Sequence, residues 1–208
     1  MSQTLNTSAQ PWMEKLGEVI LASGSPRRKE LLQNVGLPFV VEVSGCDETP
    51  IVGESAIQMV ERLALVKAEA VAKTRRTAIV LGADTTVCID GETLGKPDNQ
   101  EHAISMISQI QGRTHEVLGG VAILSAARNI QVVRSFRTEV TMRPMSIEEI
   151  RWYVTTGEPM DKAGSYAIQG IGLQYVESIR GSYTNVVGLD IAQVMGMLKE
   201  ISEKAISQ

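Results

Sequence analysis

The densest set of chemically useful residues lies between Leu21 and Leu32, where Ser23-Gly24-Ser25-Pro26-Arg27-Arg28 follows the apolar run Val19-Ile20-Leu21-Ala22. Leu31, Leu32 and Val35 then recur at helical spacing, so the segment reads as strand, tight loop, helix. Ser25 is placed to cap the helix, Pro26 suits its first position, and Gly36 followed by Pro38 supplies the stop. A helix N-terminus offers free N–H groups and partial positive charge to an anion. Ser23 and Ser25 add hydroxyl donors, and Arg27 and Arg28 add guanidinium forks that match phosphate oxygens bidentately. The same residues also suit a capped helix with solvated arginines.

Asp84 ends the apolar stretch that starts at Ile79, a place where α/β proteins commonly put site residues. A carboxylate there can activate water or hold a hard cation, or it can bond its own backbone in a turn. Glu48, in Cys46-Asp47-Glu48-Thr49-Pro50, and Asp161 are loop acids open to a site role or to plain solvation. Lys67 interrupts an apolar helical stretch, from which its long stem can snorkel. Lys96 lies in Gly91-Glu-Thr-Leu-Gly95-Lys96-Pro97, which is not a Walker A loop: its glycines stand one residue too close, and proline replaces the Mg²⁺-holding hydroxyl. Lys96 can still meet phosphate as a point charge, or stand as an ordinary turn lysine. His102 and His115 lack zinc spacing and no Cys/His cluster accompanies them. No G-x-S-x-G elbow or G-x-G-x-x-G fingerprint is present, and Gly170-Ile171-Gly172 belongs to a different pattern.

These residues must be positioned by a mixed set of elements. Phe39 to Val43 reads as a strand, and Ser55 caps a helix running to about Lys73. Ala78–Leu81 and Val87–Ile89 read as two strands, the second turned by Asp90-Gly91. Asp98 with Glu101 resembles a capping box for a helix to Ile110, and Ser146 with Glu149 forms another for a helix stopping at Gly157. His115 to Thr141 reads as two long strands joined near Ala127-Arg128-Asn129. Asp161 to Gly172 reads as an ordered loop, and a last amphipathic helix from about Asp190 to Ala205 aligns Ile191, Val194, Leu198, Ile201 and Ala205. The pattern is one α/β unit with a mixed sheet flanked by helices.

The chain has 208 residues, 43% apolar and 21% charged, enough for one compact domain or two closely packed lobes. A formal charge of −4 and 4% aromatics disfavour a nucleic-acid partner, which needs a basic face or stacking platforms. A small anionic substrate needs only a basic pocket. Cys46 and Cys88 are too few for a disulfide scaffold and read as reduced thiols in a cytoplasmic protein. No window approaches 18 consecutive apolar residues, so no membrane span is expected. The first seventeen residues lack the apolar core of a secretory signal and read as a flexible extension, residues 1–17, ahead of a single domain over 18–208.

Five segments, in order, resemble the Maf family of nucleoside triphosphate pyrophosphatases: Leu21-Ala-Ser-Gly-Ser-Pro-Arg-Arg28; Gly82-Ala-Asp-Thr-Thr-Val87 with Gly95-Lys-Pro97; Gly112-Arg-Thr-His-Glu-Val117; Glu158-Pro-Met-Asp-Lys-Ala-Gly164 through Gln169-Gly170; and Gly181-Ser-Tyr-Thr-Asn-Val-Val-Gly-Leu189. The resemblance implies an α/β fold with a cleft between two lobes, as in the Maf and ITPase folds, a cytoplasmic location and frequent homodimers. It also implies cleavage of a nucleoside triphosphate to monophosphate and pyrophosphate with a divalent metal, Mg²⁺ or Mn²⁺. By the same resemblance Asp84 is the general base, Ser23, Arg27, Arg28, Lys67 and Lys96 hold phosphate, and Glu48 joins Asp84 at the metal. The Gly112 and Asp161 segments resemble the branch acting on dTTP and UTP, in which Arg27, Thr85 and Gln169 match positions linked to base choice. Two residues depart from the family pattern: Gly119 stands where Thr is usual, and Asp190 where Pro is usual. The alternative reading is a regulatory nucleotide-binding protein of cell division, following the family's septum-formation label.

Overall fold

The computed structural model describes residues 10–204. They run α1 (Pro11–Glu14), β1 (Val19–Leu21), α2 (Pro26–Asn34), β2 (Val40–Val41), α3 (Ala56–Ala72), β3 (Ile79–Ile89), β4 (Glu92–Leu94), α4 (Gln100–Ile110), β5 (Thr114–Ser125), β6 (Ile130–Met142), α5 (Ile147–Thr155), three 3-10 turns between Glu158 and Tyr175, β7 (Val176–Arg180), α6 (Tyr183–Val187) and α7 (Ile191–Lys204).

Side-chain caps set most helix starts. Ser25 accepts the Arg28 N–H, and Ser55 with Gln58 and Ser146 with Glu149 form full capping boxes. The expected box at Asp98 is corrected: Asn99, one residue on, is the cap, its Oδ1 accepting the His102 N–H at 2.8 Å. Asp98 instead pairs with the His102 ring, 3.0 Å away.

Among the described residues the sheet has seven strands in the order β2-β1-β3-β5-β6-β7, with β4 also on β3. β1 pairs parallel with β2 and β3, and all other pairings are antiparallel, giving the mixed sheet expected. The two short strands expected around Asp84 are one continuous β3, because β5 pairs with it from Val80 through Cys88. Its other edge differs. β1 covers Ile79–Leu81 and β4 covers Val87–Ile89, leaving the stretch between without a strand partner. The sheet forks there, and Asp84 sits in the fork rather than at a strand end.

Alternation along the strands separates the cores. Leu21, Leu81 and Val121 face α2 and α7, whereas Ile20, Val80 and Ala122 face α3. A second lobe gathers α4, α5, Tyr166 and Tyr175 against the far ends of β3, β5 and β6. α3 lies unusually close to the sheet. A Cβ on Gly82 would stand 2.1 Å from the Ala64 carbonyl, and one on Gly120 2.1 Å from the Val60 carbonyl.

The N-terminal expectation is corrected in part. Met13 and Leu16, taken as part of a flexible extension, are 3% and 0% exposed in the core that α7 covers. Residues 1–9, and Ala205 of the last helix's expected stripe, lie outside the described residues. Among the described residues no helix is long and apolar enough to cross a membrane.

Candidate active site

The fork in the sheet opens into a cleft of about 700 Å³, bounded by the β1–α2 loop, the one-sided middle of β3, α3 and the 3-10 segment after α5. Asp84 shares a face of β3 with Gly82, so it points toward α3, and the close packing at Gly82 and Gly120 brings Lys67 within reach. The Lys67 ammonium donates to Asp84 Oδ1 at 2.8 Å and to Glu48 Oε2 at 2.7 Å. Lys67 is 6% exposed, so of its two readings the snorkelling one does not hold: its charge stays in the fold, matched by two carboxylates in the cleft. Asp84 Oδ2 has no hydrogen bond among the described residues and remains an open acceptor in the cleft.

Arg28 is buried beneath the cleft. Its Nε donates to the Gly188 carbonyl at 2.9 Å, Nη1 to Ser23 Oγ at 3.1 Å and the Ala83 carbonyl at 2.9 Å, and Nη2 to Thr85 Oγ1 at 3.1 Å. Four of its five N–H groups are thereby taken. The expected bidentate grip of Arg28 on phosphate is corrected. It offers one N–H and a buried positive charge, and ties β1, α2, β3 and the loop before α7 into one wall. Burial pushes its acidity up, with Asp84 opposing that shift. Thr85 is drawn into the same tie, donating to the Gly188 carbonyl at 3.1 Å while accepting from Arg28. Ser23 accepts from Arg28 and from the Ser25 N–H, so its own O–H is left to donate toward the cleft.

The opposite wall is the segment after α5. Arg27 reaches across the cleft to Asp161 Oδ2 at 3.0 Å, and Asp161 Oδ1 holds the Lys162 ammonium at 2.5 Å. Burial works to raise the Asp161 pKa, and the Lys162 and Arg27 bonds outweigh it, leaving it below the usual carboxylate range. Lys96 stands exposed at the rim with no ion pair among the described residues. Gln169 lines the cleft, and its side-chain amide likewise makes no hydrogen bond among the described residues. The cleft thus collects five cationic side chains against three carboxylates, a local excess of positive charge in a chain of formal charge −4. Such a surface suits a polyanion with an uncharged head.

Residues 18–201 match the family described as Maf-like protein. The chain belongs to the Maf family. A dTTP/UTP pyrophosphatase of Symbiobacterium thermophilum is 50% identical over 183 residues, 88% of this chain and 93% of that one. Relatives of the same name from Desulforamulus reducens and Bacillus cereus are 48% and 49% identical, over 87% and 88% of this chain and 95% of each of theirs. Among solved structures, the Ham1 protein of Staphylococcus aureus shares the fold, with a TM-score of 0.50 at 14% identity, covering 90% of this chain and 99% of that one.

The nine residues to which the family resemblance gave site roles all line this cleft: Ser23, Arg27, Arg28, Glu48, Lys67, Asp84, Thr85, Lys96 and Gln169, as do the other two candidates, Ser25 and Asp161. Lys162, Tyr166 and His115 were missed. Lys162 follows the Asp161 already singled out, and a cation beside a candidate acid was the available signal. Tyr166 lines the cleft and meets the buried His115, whose Nε2 lies 2.8 Å from the phenol oxygen. Their contact spans 51 residues, so nothing local in the sequence announces it.

Proposed function

We propose that this chain hydrolyses the α–β anhydride of UTP and dTTP, releasing the nucleoside monophosphate and pyrophosphate. The carrying observation is the Asp84 carboxylate, fixed through one oxygen by Lys67 and open through the other, in a cleft with excess positive charge. The names of the relatives support the substrate class. Asp84 Oδ2 takes a proton from water as the water oxygen attacks the α-phosphorus, and the α–β bridging oxygen leaves with pyrophosphate. Arg27, Lys96 and Lys162 meet the negative charge that gathers on the leaving group, and Ser23 donates to a phosphate oxygen.

Glu48 and Asp84 would hold a divalent cation. Their oxygens converge on a single ammonium, within reach of one another, and an all-carboxylate pair suits a hard cation such as Mg²⁺ or Mn²⁺. When bound, such an ion supplies charge neutralisation on the phosphates. Gln169 supports the base assignment: uracil and thymine present an O4 acceptor beside an N3–H donor, and one planar amide pairs with both. Cytosine reverses that pattern. A cytoplasmic location and homodimer formation belong to the same reading.

Incubation of the purified chain with UTP, dTTP and CTP, with chromatographic analysis of products, tests the proposal. UMP, dTMP and pyrophosphate are expected from the first two, with loss of activity in chelator and recovery on adding Mg²⁺ or Mn²⁺. Orthophosphate as the first product would overturn the assigned bond, and full activity in chelator the metal site.

A further inference from the structure

Gln169 has to present a free amide at a defined place, yet it lies in a segment with no strand and no α-helix to hold it. Backbone bonds on both sides of it supply that definition. The Tyr153 hydroxyl, at the buried end of α5, accepts the Ala167 N–H at 3.0 Å. Glu158, just past the end of the same helix, accepts the Ile171 N–H through Oε1 at 2.8 Å and the Gly172 N–H through Oε2 at 2.9 Å. Gln169 stands between these anchors. The two glycines that matched no nucleotide fingerprint are accounted for by the same contacts. A Cβ on Gly170, whose φ is +85°, would lie 2.0 Å from Glu158 Oε1. One on Gly172 would lie 2.3 Å from the Ala167 carbonyl and 2.5 Å from the Tyr153 hydroxyl. Neither Tyr153 nor Glu158 lines the cleft, so neither is placed to touch substrate.

We infer that Glu158 and Tyr153 are positioning residues for base selection: they clamp the backbone on either side of Gln169 and so aim its amide at the base edge. This rests on the reading of Gln169 given above. A carboxylate is the right chemistry for the Glu158 jaw, because it accepts two N–H groups at once and donates none. Glutamine at 158 would turn an NH₂ toward one of those N–H groups. The clamp is rigid at its base, since Tyr153 is fully buried in the second lobe's core beside Tyr175, the two rings 5.4 Å apart.

Steady-state kinetics with UTP, dTTP and CTP on wild type, Glu158→Gln, Tyr153→Phe, Gln169→Ala and Glu158→Gln/Gln169→Ala test the inference. For Glu158→Gln, kcat/KM for UTP and dTTP is expected to fall about tenfold, chiefly through KM, with CTP changed less than about threefold. Tyr153→Phe is expected to shift the UTP to CTP ratio the same way by about threefold, and carries the test should Glu158→Gln fail to fold. The double variant is expected to discriminate no worse than Gln169→Ala alone, because no amide remains to misplace. Equal proportional losses on all three nucleotides, or losses that multiply in the double variant, would overturn the clamp while leaving the Gln169 assignment intact. A wild type that does not prefer UTP to CTP would overturn both.

Discussion

The two walls of the cleft solve the same problem by different means. On the phosphate side, side chains sit on regular elements: Asp84 on β3, Lys67 on α3, Arg27 and Arg28 on the first turn of α2. Their places follow from strand alternation, a capped helix start and the close approach at Gly82 and Gly120. On the base side the chain has only 3-10 turns, and its shape is held by Glu158 and Tyr153, whose side chains grip backbone N–H groups, and by the side-chain contact of Tyr166 with His115. The regular wall therefore suits charge that is the same for every nucleotide, and the stapled wall suits recognition that must differ between bases.

The comparison breaks first at Asp84. Asp84→Asn keeps the size of the side chain and one acceptor for Lys67, so the fold and KM are expected to persist while kcat falls by roughly two or more orders of magnitude. Near-normal turnover in a folded variant would remove Asp84 from the chemistry and favour the regulatory binding role. Arg28→Lys separates stability from catalysis on the same wall. A lysine cannot reach the Gly188 and Ala83 carbonyls, Ser23 and Thr85 together, and the variant is expected to lose about 2 kcal/mol in urea denaturation. A change confined to KM, with stability intact, would show that Arg28 serves phosphate after all.

Legibility in the sequence follows the same division. The β1–α2 loop was readable because cap, proline, apolar spacing and arginines fall within a dozen residues, and a local signal needs no knowledge of the rest of the chain. Asp84 was found for its chemistry but misplaced at a strand end. Its polar Asp84-Thr85-Thr86 run resembles a turn, and only the β5 pairing, more than thirty residues away, carries the strand through it. Lys67 was left between a site role and a snorkelling one because its partners Glu48 and Asp84 come from other elements. The core role of Met13 and Leu16 was hidden for the same reason, since α7 at the other end of the chain covers them. Of the stapled wall, the sequence yielded an ordered loop and, through family resemblance, Gln169. The family departure at Gly119 also has a local meaning. A Cβ there would lie 2.2 Å from Asn185 Oδ1, a buried atom with no hydrogen-bond partner among the described residues.

The stapled wall carries its own acid sensitivity. Burial lowers the His115 pKa from 6.5 to about 4, the residue being 1% exposed. Between those values the unfolded chain binds the proton and the folded chain does not, so stability is full above about pH 6.5 and falls as pH drops toward 4. The slope from this group approaches about 1.4 kcal/mol per pH unit in that window. His115→Gln is expected to flatten it, measured by urea denaturation at pH 5 and pH 7 against wild type. An unchanged slope would mean that other groups govern the acid limb.

The smallest effect is expected on the regular wall, at the second family departure. Asp190 precedes α7, and its Oδ1 accepts the Gln193 N–H at 3.3 Å, so it caps the helix that covers Met13, Leu16 and the β1 side of the sheet. Its neighbour Ile191 is held separately, donating its N–H to Thr184 Oγ1 at 3.0 Å. Asp190→Ala removes one of these two anchors and is expected to cost about 1 kcal/mol, whereas Asp190→Asn keeps an acceptor and should lie within about 0.5 kcal/mol of wild type. Because the Gly188 carbonyl, two residues earlier, is pinned by both Arg28 and Thr85, loosening the cap should not reach the cleft. Thermal denaturation with parallel UTP and CTP kinetics separates the possibilities: a loss of stability with an unchanged UTP to CTP ratio keeps the two walls independent. A ratio that moves with the cap would show that α7 is coupled to base selection, and the division between a regular phosphate wall and a stapled base wall would fail.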